Sequence, residues 1–355
     1  KDLHVPNLAP STLSTFATEL LAAGGMTTEE AAIVGPSLAN ANTCGYSSHG
    51  VMRIPFYLDM LKVGDVKSNV DLTAIEEGPS TFVGDANWGI GRVQCGRLLD
   101  KLVPKAKQYG NAIGTLRNSG HIGRLGEYCE IAANDHGLVS MLMVNTHGAA
   151  RRVAPPGGIA PRLGTNPIAI GVPRGDAPLI LDFSTSVTAE GKVRVKSIAG
   201  ESIPEGWIID SDGNPSTNPD DLYTDPPGTI LPMGGDQAYK GFGLSLMIDI
   251  FSGALSAGLC ARETPLTPKG NCVFFMLIDP SRLGGLEAFQ REVNQISDFV
   301  KSCPTRDPNG EILLPGDPER KTVATNIANG IGIDDENWNK LTGLAASLNV
   351  EIPQA

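Results

Sequence analysis

Asn118-Ser119-Gly120-His121-Ile122-Gly123-Arg124-Leu125-Gly126-Glu127-Tyr128 is the stretch on which the fold turns. It follows Ala112 to Arg117, an apolar run that predicts a strand, and it opens Gly126 to His136, which predicts a helix. A strand that passes into a helix through glycines is where dinucleotides bind in open parallel sheets, but that turn needs G-x-G-x-x-G. Here Gly120, Gly123 and Gly126 give G-x-x-G-x-x-G, and Gly89-Ile90-Gly91 is followed by Gly96, again at the wrong spacing. The ordinary Rossmann turn is therefore absent. Small residues at this point can still present backbone N–H groups to a phosphate at a helix N-terminus. The same residues also read as a glycine-rich turn capped by a histidine.

Working outward, Ser11 to Ala23 predicts a helix with Ser11 as N-cap, Leu13, Phe16 and Leu20 on one face, and Gly24-Gly25 at its end. Thr27-Thr28-Glu29-Glu30 fits a capping box before an Ala-rich helix that runs to about Asn42. The first ~70 residues thus form a helical unit. Composition then changes. Ser80 to Asp85, Leu138 to Val144, Pro167 to Val172, Leu179 to Phe183 and Cys272 to Ile278 predict further strands. Trp88 to Gln108 is punctuated by glycine and then helical, and Gly241 to Leu255 predicts a buried helix. Leu286, Phe289, Val293, Ile296 and Val300 mark an amphipathic helix, and another starts near Asp335 with Trp338, Leu341, Leu344 and Leu348. The spacing is no regular β-α repeat, and Asp210 to Gly235 predicts a long loop.

A chain of 355 residues allows two or three domains at about 150 residues each. Lys plus Arg number 28 against 39 Asp plus Glu, and the net charge of -11 comes with no basic run. Neither nucleic acid nor an acidic membrane is expected as a partner. Six cysteines without a C-x-x-C pair predict reduced thiols in a cytoplasmic protein. No apolar run reaches the ~18–20 residues of a membrane span, and no secretory h-region is present. The chain opens at Lys1, so an initiator residue is expected to precede it.

The densest chemistry lies in Ser47-Ser48-His49-Gly50-Val51-Met52-Arg53-Ile54-Pro55-Phe56-Tyr57. His49, Arg53 and Tyr57 are spaced i, i+4, i+8, which on a helix stacks them on one face. A titrating donor one turn from a fixed cation suits a 2-oxo acid: the cation holds the carboxylate and the acid protonates the neighbouring oxygen. Pro55 disfavours one continuous helix, so either the helix starts near Ile54 or its first turn is irregular.

Weaker motifs surround it. Asp182-Phe183-Ser184-Thr185-Ser186 ends a buried strand and offers hydroxyls to a ribose or phosphate, or is a solvated turn. Tyr239-Lys240-Gly241-Phe242-Gly243 opens the apolar helix, where a Lys suits a pyrophosphate or is a surface residue. Pro315-Gly316-Asp317-Pro318-Glu319-Arg320 is a rigid turn whose acids could accept a ribose hydroxyl. His4, His49, His121, His136 and His147 show no zinc-ligand spacing, so no metal is expected. No G-x-S-x-G supports a serine hydrolase.

Taken together, Ser48-His49-Gly50-x-x-Arg53, Asn118-Ser119-x-His121-x-Gly123, Gly164-Thr165-Asn166-Pro167, Asp182-x-x-Thr185-Ser186, Lys240-Gly241 and Pro315-Gly316 occur in this order. The set resembles the type 2 malate/L-lactate dehydrogenase family from about Ser11 to the C-terminus. Gly123 to Tyr128, with Pro204-Glu205-Gly206-Trp207, looks closest to its hydroxycarboxylate dehydrogenase branch. The resemblance implies an α/β (α+β) fold that is not Rossmann, with a mostly antiparallel sheet binding NAD or NADP. It implies a helical domain of residues 1–75 with 281–355, a cofactor domain of 76–280, and a homodimer. By the same resemblance His49 is the proton donor with Ser48 as relay and Arg53 as carboxylate clamp, with Tyr57 beside them. His121 is a second histidine that serves as acid in some members. Gly123, Arg124, Leu125, Asp182, Ser184, Thr185, Ser186, Lys240, Gly241, Asn271 and the turn Gly316, Asp317, Pro318, Glu319 match cofactor contacts, and Thr165 a substrate contact. Two segments depart from the family pattern. Asn145 to Arg152, before Pro155-Pro156-Gly157-Gly158, replaces a shorter Pro-containing segment near the substrate. Glu190-Gly191-Lys192 stands where imino-acid reductases tend to carry His-Gly-Asp-like residues.

The expected chemistry is reversible hydride transfer between NAD(P)H and a 2-oxo acid. Rivals are a cyclic imino-acid reductase, a non-catalytic ligand-binding relative and a metal-dependent hydrolase.

Overall fold

A computed structural model of the chain describes residues 7–264 and 267–354, so His4 lies outside the described residues. In chain order the helices are α1 (Pro10–Ala23), α2 (Thr28–Thr43), α3 (Ile54–Lys62), α4 (Gly91–Tyr109), α5 (Leu125–Asn134), α6 (Glu190–Ala199), α7 (Tyr239–Asp249), α8 (Leu286–Lys301), α9 (Asp317–Asn329) and α10 (Asp335–Leu348). The strands are β1 (Asn7–Leu8), β2 (Thr73–Glu77), β3 (Thr81–Asp85), β4 (Asn111–Ser119), β5 (Val139–Asn145), β6 (Pro167–Val172), β7 (Leu179–Ser184), β8 (Ile208–Ile209), β9 (Pro215–Ser216), β10 (Thr229–Ile230), β11 (Asn271–Ile278) and β12 (Ile331–Gly332).

A seven-stranded sheet runs in the order β2-β3-β4-β11-β5-β6-β7 and is antiparallel except between β3 and β4. β11 sits at its centre and reads Asn-Cys-Val-Phe-Phe-Met-Leu-Ile because both of its faces are covered. Val273, Phe275 and Leu277 point into the layer of α4 and α5, whereas Phe274 and Met276 point toward α7. That alternation is the strand period of two. Its register decides where the chemistry can gather. Asn271 pairs with Ser119, Cys272 with Asn145, and Pro167 with Ser184, so the ends of β4, β5 and β7 and the starts of β6 and β11 share one end of the sheet.

Beside the sheet, α1, α2 and α3 bury Leu13, Phe16, Leu20, Val34, Leu38 and Ile54 in one core with Leu341 and Ala345 of α10. The pairing of β1 with β12 ties the two ends of the chain together there. The capping box on α2 forms as expected: Glu30 N donates to Thr27 Oγ1 at 3.2 Å and Thr27 N to Glu30 Oε2 at 3.4 Å.

Several local expectations need correcting. Ala9, not Ser11, caps α1, because Pro10 occupies the first turn where its missing N–H costs nothing. One alternative offered for Ser47 to Tyr57 holds: the stretch is not one helix, and α3 starts at Ile54. Two short 3₁₀ turns, Ser47–His49 and Val51–Arg53, precede α3, and Pro55 sits in the first turn of α3. The segment 210–235 is not structureless: its β9 and β10 flank β8, which just precedes it, in a small sheet. The turn at Pro315-Gly316 runs straight into α9, with Gly316 at φ 91°. The stripe of α8 forms but lies open, with Phe299 75% and Ile296 55% exposed.

Candidate active site

Three short-range devices shape the first half of the site. Val51 N donates to Asn42 Oδ1 at 2.8 Å, and a Cβ on Gly50 would fall 1.8 Å from that same oxygen. Only glycine lets the chain cross α2 there. Beyond β4, Gly120 N donates to Gly89 O at 3.0 Å, and Gly91 approaches so closely that a Cβ would sit 2.1 Å from Gly120 O. These contacts bring the turn that bears His49 and the one that bears His121 face to face.

The imidazoles of His49 and His121 stack with centroids 5.5 Å apart and planes 25° from parallel. Ser48 Oγ lies 3.0 Å from His49 Nδ1, and Tyr57 Oη lies 2.7 Å from His121 Nδ1. Arg53 Nε donates to Ser48 O at 2.6 Å. Among the described residues its terminal nitrogens have no hydrogen-bonded partner, so its fork is open. Ser48, His49, Arg53, Tyr57 and His121 are thus brought together, although the helical stacking inferred from their spacing is not what does it.

Burial lowers the pKa of His49 to about 3, helped by the cations Arg53, Arg92 and Arg124. Burial also lowers His121 well below its ordinary value, with Arg53, His49 and Arg92 adding to the effect. Both rings are therefore neutral at pH 7, and each carries one donor and one acceptor nitrogen. The spacing of residues in the sequence did not reveal Arg92. It is 2% exposed, its Nη2 donates to His49 O at 2.6 Å, and its Nη1 pairs with Glu127 at 3.3 Å. An arginine in the first turn of a helix gives no sequence signal that it will be buried.

The residues matched to cofactor contacts fall into two further groups. At the start of α5, Gly123 takes φ +84° above the Arg92 guanidinium, and Arg124 pairs with Glu130 at 3.0 Å over the ring of Tyr46. Leu125 begins the helix, and Asp182 Oδ2 accepts from Gly126 N at 2.7 Å. Burial raises the pKa of Asp182 to about 6 against that hydrogen bond. Glu319 accepts from Tyr46 Oη at 2.6 Å. Asp317 is already engaged by Leu314 N, Arg320 and Lys301, which hold its carboxyl well below the usual range despite burial. Pro318 follows in the first turn of α9, and Gly316 abuts Ile180.

The second group lies at the sheet end. Thr185 Oγ1 donates to Thr165 O and Asn166 O, both at 3.0 Å. Ser186 Oγ donates to Thr188 O at 2.7 Å and lies 3.2 Å from Ser184 Oγ. Asn271 bridges the sheet end, accepting from Ile122 N at 3.0 Å and donating to Asn145 O at 2.8 Å. Gly241 packs so tightly on Met233 that a Cβ would lie 2.3 Å from its carbonyl oxygen, and Met233 N reaches Thr185 O at 2.9 Å. Lys240 is exposed beside it. The departing segment after Asn145 buries His147 against Trp88, with its Nε2 3.0 Å from Asn118 Oδ1.

These groups fit a polar, extended ligand. Asn166 Oδ1, Thr188 Oγ1, Ser245 Oγ and His147 Nδ1 are buried without a protein partner. Buried polar atoms of this kind need a partner from elsewhere. Among the described residues no three His, Cys, Asp or Glu side chains gather as a metal site.

The model for the malate/L-lactate dehydrogenase family matches residues 8–342. The chain belongs to that family. The malate dehydrogenase of Pyrococcus horikoshii is 36% identical over 346 residues, which are 96% of this chain and 94% of that protein. Hydroxycarboxylate dehydrogenase B of Escherichia coli is 33% identical over 96% of this chain and 93% of its own length. The structure of a putative malate/lactate dehydrogenase from E. coli matches with a TM-score of 0.90 and 32% identity, covering 98% of this chain and 96% of that one. Membership makes this chain an enzyme of the hydroxyacid dehydrogenase class, as the resemblance implied.

Proposed function

We propose that the chain transfers hydride reversibly between NAD(P)H and a 2-oxo acid of the malate, lactate or hydroxycarboxylate type. One observation carries this reading: the open guanidinium of Arg53 lies beside two stacked, neutral imidazoles. A guanidinium fork takes a carboxylate through two parallel hydrogen bonds, which a Lys cannot copy. The carbonyl next to that carboxylate is then held against the rings. His121 gives its Nε2 proton to the new alkoxide while its Nδ1 takes the phenolic proton of Tyr57, 2.7 Å away, so the ring stays neutral throughout. His49, with Ser48 on its Nδ1, packs the substrate side of His121. In the oxidising direction the same ring takes the proton back.

A bound nicotinamide dinucleotide supplies or accepts the hydride. Gly123 to Leu125, Ser184 to Ser186, Lys240, Gly241, Asn271 and the turn from Gly316 to Glu319 would hold it, and Thr165 would border the substrate. Glu319, which uses only one carboxylate oxygen on Tyr46, suits a ribose hydroxyl better than the engaged Asp317 does. The antiparallel sheet would serve as a cofactor platform that is not Rossmann, in a domain of residues 76–280. Residues 1–75 with 281–355 would form the helical domain that carries the clamp. The uncovered faces of α8 and of the π-helical turn Ile250–Ala254 that follows α7 support a homodimer. Six free thiols support a cytoplasmic setting.

The test is a spectrophotometric panel with NADH and NADPH against oxaloacetate, 2-oxoglutarate, phenylpyruvate and cyclic imino acids. Turnover confined to the imino acids would make the enzyme an imine reductase. Cofactor binding without any turnover would make it a ligand-binding relative.

A further inference from the structure

We propose that Arg92 is the positioning residue of this site, a single buried cation that fixes the orientation of both histidines. The proposal rests on the reading of the site given above. Burying a guanidinium is costly unless its donors are met. Arg92 meets those of its two terminal nitrogens with groups from α2, α5 and the turn of His49, while its Nε has no protein partner. Its Nη1 reaches Glu127 of α5 at 3.3 Å and the hydroxyl of Ser37 on α2. Its Nη2 donates to the carbonyl of His49 at 2.6 Å. Its plane lies over Gly123, where a Cβ would come within 2.4 Å of Cζ. The phenol of Tyr57 faces the same guanidinium.

This arrangement sets a tautomer. A guanidinium has donors and no acceptor, so the Tyr57 oxygen turns its lone pairs, not its proton, toward this cation. The phenolic proton is then left for His121 Nδ1, 2.7 Å away. His121 must carry its own proton on Nε2, the nitrogen directed away from Tyr57. The hydrogen bond to the His49 backbone carbonyl holds the turn that carries the second ring, which stacks on the first. A structural ion pair between α4 and α5 would need only Glu127. The contacts with His49 and Tyr57 are what a positioning role adds.

The groups that face His121 are Arg53 and His49 from the turns before α3, Tyr57 from α3, Arg92 from α4, and Lys269 across the adjoining cavity. Two variants separate position from charge. Arg92→Lys keeps the cation but cannot span Glu127 and His49 O together. The double variant Arg92→Met/Glu127→Gln removes the buried pair as a unit, so no unpaired charge is left to unfold the chain.

In both, kcat should fall about tenfold to a hundredfold, the cost of a misplaced group. The KM for the 2-oxo acid and the binding of NAD(P)H, followed by fluorescence, should stay within about threefold. The acid limb of the kcat/KM profile should move to higher pH in the double variant and stay in place in Arg92→Lys. Nitrogen-15 NMR of the histidine rings should show His121 as the Nε2–H tautomer in the unmodified chain and as a mixture in both variants. A kcat within threefold of the unmodified chain, or an unchanged His121 tautomer, overturns the proposal. If the unmodified chain turns over no 2-oxo acid, the functional reading fails on its own, and the tautomer measurement still decides the role of Arg92.

Discussion

The phenolic oxygen of Tyr57 stands 2.7 Å from Nδ1 of His121, a residue 64 positions further along the chain. This pair assigns the two histidines different work. His121 has a partner that fixes its tautomer from α3, whereas His49 is backed only by the neighbouring Ser48. His121→Ala should lower kcat by about 10²–10⁴-fold, the usual contribution of a positioned acid. His49→Ala should cost at least tenfold less than that. Steady-state kinetics on the two variants with the best 2-oxo acid decide the matter, and the reverse ranking would reassign the acid to His49.

Tyr57→Phe keeps the packing of α3 and removes only the hydroxyl. The Nδ1 of His121 then loses its donor, so kcat should drop by about tenfold to a hundredfold with cofactor binding unchanged. Restoration of full turnover in the phenylalanine variant would show that the hydroxyl is idle.

Arg53 holds itself in place through Nε and Ser48 O, which leaves the terminal nitrogens for a ligand. Arg53→Lys retains the charge and loses the fork. Its kcat/KM should fall by about 2–3 kcal/mol, or roughly 30- to 150-fold, mostly in KM. An unchanged KM would place the carboxylate elsewhere.

Binding of the acid should also take up a proton. Arg53 is the foremost charge lowering both histidines after burial itself. A substrate carboxylate on Arg53 offsets that charge, so the histidine pKa values rise from their depressed positions and proton occupancy increases on the acid side of neutrality, where the free rings are still neutral. Calorimetric titration of an unreactive 2-oxo acid analogue in buffers of different ionisation enthalpy measures the uptake. Zero uptake at pH 4–5 would contradict the coupling.

The same depressed values tie stability to pH. His49 titrates at about 3 in the folded chain, so below the ordinary histidine value of ~6.5 the unfolded chain binds more protons than the folded one. Stability is complete above that value and is lost as pH falls toward 3, by up to about 1.4 kcal/mol per pH unit for each such ring. Urea denaturation between pH 7 and 5 should show the slope, and His49→Gln should flatten it.

Much of the fold was legible in order. The central strands announced themselves because β11, β5 and β6 are continuous apolar runs, and α1, α2 and α10 because their apolar spacing, like the capping box of α2, is a local feature. The strands β8 to β10 were not, since two-residue strands carry no period. The exposed stripe of α8 was read correctly as a stripe, but sequence cannot say whether anything covers it.

For the site, the sequence by itself determined the chemistry: Ser48, His49, Arg53 and Tyr57 in one short stretch, His121 after a strand, and glycines where no side chain fits. Only the tertiary structure decided how they meet. Pro55 starts a helix and does not continue one, so the clustering comes from a crossing and not from a helical face. Gly50 crosses α2, Gly91 lets the Gly120 turn approach, and Arg92 sits between them. Which nitrogen of His121 holds a proton depends on groups from α3 and α4, and no spacing within a single stretch encodes a contact between elements so far apart in the chain.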